Sequence, residues 1–191
     1  MQSPFVIISS PSGGGKSTIA KKILQSSRRF AKAVSATTRA PRIGEKNGKD
    51  YYFLSVEEFR DKIAQKKFLE WEEVYADKFY GTLLSEIEKL SKQKKIVILT
   101  LDIHGALKLK KEFQDRVLTI FLDIPNLEIL RERLQYRATE SSASLEDRLA
   151  RAEYELSYKD QFDIIIQNTN LTNTVEQAIT AIDEFLHKCK L

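Results

Sequence analysis

The sequence predicts an α/β domain, a parallel sheet covered by helices on both faces, with a phosphate-binding loop after its first strand. Three observations predict it. Aliphatic runs at 5–9, 96–101, 117–122 and 162–167 alternate with helix-like stretches, and that alternation is how a parallel sheet between helix layers reads. The first run leads directly into Ser10, Pro11, Ser12, Gly13, Gly14, Gly15, Lys16, Ser17 and Thr18, which open a helical stretch. Two polar interruptions, near 37–90 and 137–148, break the alternation as inserted lobes would.

Taken in order, residues 5–9 form a buried central strand and residues 17–26 the first helix. Residues 34–38 read as a short strand. Residues 37–50 are polar, with Pro41, Gly44 and Gly48 as turn formers. Residues 51–54 read as an aromatic strand, and Ser55 with Glu57 and Glu58 as the cap of a helix running to about 65. Residues 68–75 read as a half-exposed strand and 77–81 as a turn. Thr82 reads as the cap of a helix over 83–90, with Glu86 and Glu88 outward. The core then resumes: a strand at 96–101, a helix at 106–113, a strand at 117–122 and a helix at 126–136. A polar stretch at 137–144, a helix at 145–156, a last strand at 162–167 and a closing helix at 172–188 complete the chain.

The loop fits G-x-x-x-x-G-K-[ST] except that Ser10 stands where the pattern has its first glycine. Gly13, Gly14 and Gly15 allow a tight turn with main-chain N–H groups facing inward, and the following helix start adds its positive end. Lys16 reaches the β- and γ-phosphates of a nucleotide as a point charge, and the Ser17 hydroxyl suits Mg2+.

A chain of 191 residues with 42% hydrophobic and 30% charged residues is long enough for one cored domain with small lobes. No run is long enough to span a bilayer and no signal peptide is legible, so the expectation is a cytoplasmic protein without membrane attachment. The one cysteine, Cys189, has no disulfide partner, and two histidines make a histidine zinc site improbable. The net charge of +4 suits anionic ligands without singling one out. Neither a stacking ladder nor a helix-turn-helix pattern points to nucleic acid.

A GTP-hydrolysing switch calls for Asn-Lys-x-Asp, which the sequence lacks, and helicases and pumps are commonly much larger. A small kinase fits better, with its two lobes enclosing donor and acceptor. In the first lobe Ser35, Arg39, Arg42, Tyr51 and Tyr80 suit a phosphate. Glu45, Glu70 and Asp102 are acceptors for a base edge with paired donors, which guanine has and adenine lacks. Arg133 and Arg137, one helical turn apart, and Arg148 beyond them suit a polyphosphate that offsets their repulsion. Solvated arginines and carboxylates, and tyrosines filling a small core, explain the first-lobe residues about as well at this level, and neutralisation by Glu128, Glu132 and Glu140 is the lesser alternative for Arg133, Arg137 and Arg148.

In these stretches the sequence resembles the guanylate kinase family. Residues 10–18 resemble its phosphate loop. Residues 35–45 and 48–53 resemble its GMP-binding signature, the most specific match. Residues 68–71, 80–82, 102–106 and 133–139, with Arg148, continue it, so that the likeness covers about residues 4–187. The resemblance implies a P-loop kinase core with a five-stranded parallel sheet over 1–36, 94–136 and 149–191. It also implies a GMP-binding lobe with a mixed sheet over 37–93 and a LID over 137–148. The implied reaction is transfer of the ATP γ-phosphate, with Mg2+, to GMP and dGMP by a monomer or homodimer acting on small nucleotides. Residue by residue, it implies that Ser35, Arg39, Arg42, Tyr51 and Tyr80 bind the GMP phosphate. Glu70, Thr82 and Asp102 read guanine, and Glu45 supports the arginines. Residues 10–18 and Asn168 bind ATP, with Ser17 at the metal. Lys16, Arg39, Arg133, Arg137 and Arg148 act on the phosphoryl group in flight.

The sequence departs from the family pattern at Ser10, at Thr100 where an acidic residue is common, at the longer turn 76–79, and at Ala138 in place of a LID glycine. Two other readings remain: a non-catalytic interaction domain of the same fold, and a kinase for another phosphorylated acceptor.

Overall fold

The computed structural model describes residues 4–11, 13–125, 128, 130–131, 149–150 and 152–189. The chain divides into two compact units, one formed by Ala31–Val97 and the other by the remaining described residues. The predicted LID at 137–148, with the helical stretches assigned to 132–136 and 145–148, lies outside the described residues.

The parallel sheet has five strands in the order β2-β7-β1-β8-β9, with β1, β8 and β9 in the larger unit and β2 and β7 at its boundary residues. They are β1 (Phe5–Ser9), β2 (Phe30–Lys32), β7 (Ile96–Thr100), β8 (Val117–Asp123) and β9 (Ile164–Gln167). β1 pairs in parallel with β8, Phe5 beside Val117, and β8 in parallel with β9, Ile120 beside Ile164. Every residue of β1 and β8 is buried, as expected of central strands covered on both faces. Each fully buried Ile or Phe there contributes about 1.5–3 kcal/mol of apolar transfer. Helices flanking the sheet include α1 (Lys16–Ser26), α4 (Ile103–Phe113) and α5 (Leu171–Lys188). Each buries one stripe at helical spacing: Ile19, Ala20 and Ile23 on α1, Ile103, Ala106 and Leu109 on α4, and Thr174, Ala178, Ala181, Ile182 and Leu186 on α5.

The unit Ala31–Val97 carries a mixed sheet in the order β4-β3-β6-β5, with β3 (Ser35–Thr37), β4 (Tyr52–Phe53), β5 (Phe68–Tyr75) and β6 (Lys78–Leu83). β3 runs parallel to β4 and antiparallel to β6, and β5 and β6 form a hairpin. Two helices, α2 (Val56–Ala64) and α3 (Leu84–Lys92), complete the unit. The predicted cap on α2 forms in full: Ser55 accepts from the Glu58 N–H while the Glu58 carboxylate accepts from the Ser55 N–H. Ala36, Phe59 and Phe79 make the core, with Phe59 stacked at 4.3 Å on Phe68 and at 5.2 Å on Phe79.

Four sequence readings need correction. The fifth core strand is Phe30–Lys32, and the short strand after it belongs to the mixed sheet. The turn assigned to 77–81 is only the tip at Ala76 and Asp77, and β6 follows from Lys78. Thr82 is a strand residue and not a cap; the residue before α3 is Leu83, which makes no side-chain cap bond. Glu86 is buried, 4% exposed, where an outward carboxylate was expected. The helix stripe explains that last case, because Glu86, Ile87 and Leu90 share the inward face of α3.

Candidate active site

The predicted phosphate loop begins where β1 ends. Ser9 donates its hydroxyl to the Leu101 carbonyl at 3.0 Å, which ties the end of β1 to the residue after β7. Ser10, in the position of the missing glycine, is buried, and its hydroxyl donates to the Pro11 carbonyl at 3.0 Å. Its side chain lies against Gly14: a Cβ at Gly14 would stand 2.4 Å from the Ser10 hydroxyl oxygen and 2.9 Å from the Pro11 carbonyl. Ser10 is therefore accommodated because position 14 has no side chain. Gly13 and Gly15 have φ of 81° and 92°, the left-handed region that favours glycine. Ser12 lies outside the described residues.

Gly15 stands at the N-terminus of α1, and no side chain caps that helix or places an acid in its first turn. Its leading N–H groups therefore suit an anion. The Lys16 ammonium folds over the loop to the Ser10 carbonyl, 2.8 Å away. Ser17 and Thr18 are exposed on the first turn.

Asn168, at the end of β9, donates its side-chain N–H to the Gly14 carbonyl at 2.9 Å. Thr174 of α5 donates to the Asn168 side-chain oxygen at 3.2 Å, and the Asn168 main-chain N–H meets the Asp123 carbonyl at 2.8 Å. A Cβ at Gly15 would stand 2.9 Å from the same Asn168 amide. Asn168 thus holds the loop's main chain. Thr174 was not legible as a loop residue; its only sequence signal is its place in the first turn of the helix that follows Asn168. Asp102 caps α4, accepting from the Gly105 N–H at 2.7 Å.

In the other unit, strand alternation sorts the predicted acceptor residues. Ser35, Thr82 and Glu70 stand side by side across β3, β6 and β5, and Thr37, Tyr80 and Glu72 form the next row. Phe53 pairs with Thr37 on β4, and Tyr51 precedes it by two residues. Residues two apart share a face, so Ser35, Tyr51, Glu70, Tyr80 and Thr82 all lie on one face of the mixed sheet. Ala36, Tyr52 and Phe79 lie on the other, over the core.

Arg39 is held beside that face. Its two terminal nitrogens meet the two oxygens of Glu45 at 2.9 and 2.8 Å, and one also donates to the Ala40 carbonyl at 2.7 Å. Its guanidinium lies 5.3 Å from the Tyr51 ring centre and 5.8 Å from that of Phe53. Glu45 also accepts from the Arg42 main-chain N–H at 2.7 Å, while the Arg42 side chain is exposed. The Arg39 bond, then the Arg42 N–H, hold the Glu45 carboxyl below its ordinary range, and the Glu45 bond raises Arg39 in turn. The pair sets one arginine, charged and oriented, beside two aromatic rings. Tyr51 and Tyr80 stand edge to face at 6.2 Å.

Arg133, Arg137 and Arg148 lie outside the described residues. Among the described residues no three His, Cys, Asp or Glu side chains converge as a metal site. An exposed hydroxyl beside a phosphate loop suits an ion that arrives on a nucleotide's phosphates, which is how Mg2+ commonly binds. No described helix is long and apolar enough to cross a membrane.

The guanylate kinase family model matches residues 2–188. The chain is 47% identical over 185 residues to guanylate kinase from Porphyromonas gingivalis, covering 96% of this chain and 98% of that one. It is 45% identical over 182 residues to guanylate kinase from Salinibacter ruber, covering 95% and 96%. The crystal structure of guanylate kinase from Anaplasma phagocytophilum superposes with a TM-score of 0.73 at 32% identity, covering 98% of this chain and 88% of that one.

Proposed function

The chain belongs to the guanylate kinase family, and on that premise we propose how its residues divide the transfer of the ATP γ-phosphate to GMP. The observation that carries the reading is the single sheet face presenting Ser35, Tyr51, Glu70, Tyr80 and Thr82, with Arg39 fixed beside it by Glu45.

The loop at 10–18 holds the ATP phosphates through main-chain N–H groups and Lys16, with Asn168 holding the loop. Ser17 would hold Mg2+ at the loop, where the ion would supply positive charge against the phosphates. Tyr51, Tyr80, Arg39, Arg42 and Ser35 bind the GMP phosphate. Glu70, Thr82 and Asp102 take the guanine edge, whose N1 and 2-amino donors match acceptor oxygens. A GMP phosphate oxygen forms the new bond to the γ-phosphorus as the bond to the β–γ bridging oxygen breaks. The attacking oxygen is already anionic, so no strong general base is required. The work is positioning and charge stabilisation by Lys16, Arg39 and the arginines at 133, 137 and 148. dGMP is a second acceptor, because none of these contacts uses the 2′-hydroxyl. The protein acts in the cytoplasm on free nucleotides, as a monomer or homodimer, without nucleic acid.

A coupled ADP-release assay with ATP and Mg2+, offering GMP, dGMP, AMP, CMP and UMP in parallel, tests this. Turnover with GMP and dGMP and not with the other three is the expected result. Turnover with AMP or a pyrimidine nucleotide overturns the guanine assignment. GMP binding without turnover overturns the enzymatic reading in favour of an interaction domain.

A further inference from the structure

β4 is two residues long and pairs with β3 alone, at the edge of the mixed sheet. Its Phe53, with Tyr51 immediately before the strand, nonetheless supplies the two rings that lie within 6 Å of the Arg39 guanidinium. Besides its two Cα pairings, the segment is tied by the Phe53 N–H to Asn47 Oδ1 at 2.9 Å, the Leu54 N–H to the Thr37 carbonyl at 2.9 Å and the Gly48 N–H to the Tyr51 carbonyl at 2.8 Å, ties that run only to β3 and to the preceding loop.

The residue between Tyr51 and Phe53 points the other way. Tyr52 packs on the core of Ala36, Phe59 and Phe79, and its hydroxyl donates to Glu86 Oε2 at 2.9 Å. Glu86 is 4% exposed in the first turn of α3, and the Lys89 ammonium lies 3.2 Å from the same oxygen. Burial, and then the bond to Glu86, push the Tyr52 phenol up, so it stays a donor across the neutral range. A buried carboxylate is costly unless bonded, and the bond made here runs to the strand that bears the platform.

We propose that Tyr52 and Glu86 are positioning residues for the acceptor phosphate: the hydrogen bond between them seats β4, and with it the ring face against which Arg39 rests. The proposal rests on the reading of this lobe as the GMP site. It assigns a function to two side chains on the far side of the sheet from the nucleotide.

The test is Tyr52→Phe, which keeps the ring in the core and removes only the donor. The KM for GMP should rise about fivefold, with kcat and the KM for ATP within about twofold of the parent. Glu86→Ala should reproduce that pattern. Glu86→Gln, which keeps an acceptor oxygen, should recover most of the GMP affinity. Direct titration of GMP onto each folded variant reads the same quantity without turnover. A merely structural bond lowers the melting midpoint of Tyr52→Phe and leaves the KM for GMP unchanged, and that result overturns the proposal while the lobe assignment stands. Absence of GMP binding and turnover in the parent chain overturns the lobe assignment, and the proposal with it. If Tyr52→Phe does not fold, Glu86→Gln against Glu86→Ala decides: equal GMP affinities in the two overturn the proposal.

Discussion

In the loop after β1 the groups suited to an anion are main-chain N–H donors, in a turn too tight for a Cβ at Gly14. In the mixed-sheet unit they are side-chain tips on one face, with an arginine held by a carboxylate that is itself 21% exposed. The first grip is set by backbone shape and tolerates an unusual residue, Ser10, provided its neighbour stays bare. The second is set by identity and charge, and tolerates change in the backbone better than loss of a tip. Substitutions in the two regions should therefore fail differently, the loop through turnover and ATP, the lobe through GMP.

Lys16→Met should have the largest effect, because in the proposed mechanism its charge acts on the transferring group. A fall in kcat on the order of 100- to 1,000-fold is expected, with GMP titration unchanged; equal turnover by this variant breaks the comparison at its root. Gly14→Ala comes next, since the added Cβ would stand 2.4 Å from the Ser10 hydroxyl oxygen. Overpacking of this kind should raise the KM for ATP about tenfold. Adding Ser10→Gly to the same chain should restore part of the loss, the Pro11 carbonyl at 2.9 Å still opposing it. No recovery means that the loop's shape does not depend on this contact.

Glu45→Gln should act on the other region alone. It removes the charge that orients Arg39 and raises the KM for GMP about fivefold, leaving the KM for ATP as it was. A change in the ATP constant instead shows that the two grips are not separable. The smallest effect is on stability. Asp163 accepts from the Thr119 N–H and hydroxyl and pairs with Lys110 at 2.8 Å. Burial pushes its carboxyl up, but Lys110 and the Thr119 donors outweigh that and hold it below its ordinary range. A depressed carboxyl contributes stability above its unfolded value, and the contribution is lost as pH falls through the folded value. Melting curves taken from neutral pH to below about 4 should therefore fall less steeply for Asp163→Asn. A parallel slope removes Asp163 from the acid response.

What was legible in the sequence followed the same division. The loop was readable because main-chain phosphate binding demands glycines and a lysine at fixed spacing. The acceptor face was named through family likeness, but its sorting onto one face follows from period-two alternation in β3, β5 and β6. β6 was missed because 77–81 read as a turn and Thr82 as a helix cap. Gly81 is there for another reason: a Cβ would stand 2.7 Å from the Glu70 carbonyl of the neighbouring strand. β2 was missed because three residues at a sheet edge leave no periodic signal. Glu86 was read as solvated from its charge alone, although its spacing to Leu90 put it on the buried stripe. Its partner, Tyr52, is thirty-four positions away in sequence, a distance that periodicity does not span.

The pairing of Phe5 with Val117 has a kinetic meaning. β1 is synthesised long before β8, and the two meet only when more than half of the 191-residue chain exists. The hairpin of β5 and β6, by contrast, closes across a two-residue tip. Long-range parallel pairing is slow because its closure entropy comes before its contacts. The turn proposed to bind nucleotide, strung between β1 and α1, should therefore form late in folding. In a refolding experiment ATP affinity should appear with the last phase, after the mixed sheet has formed.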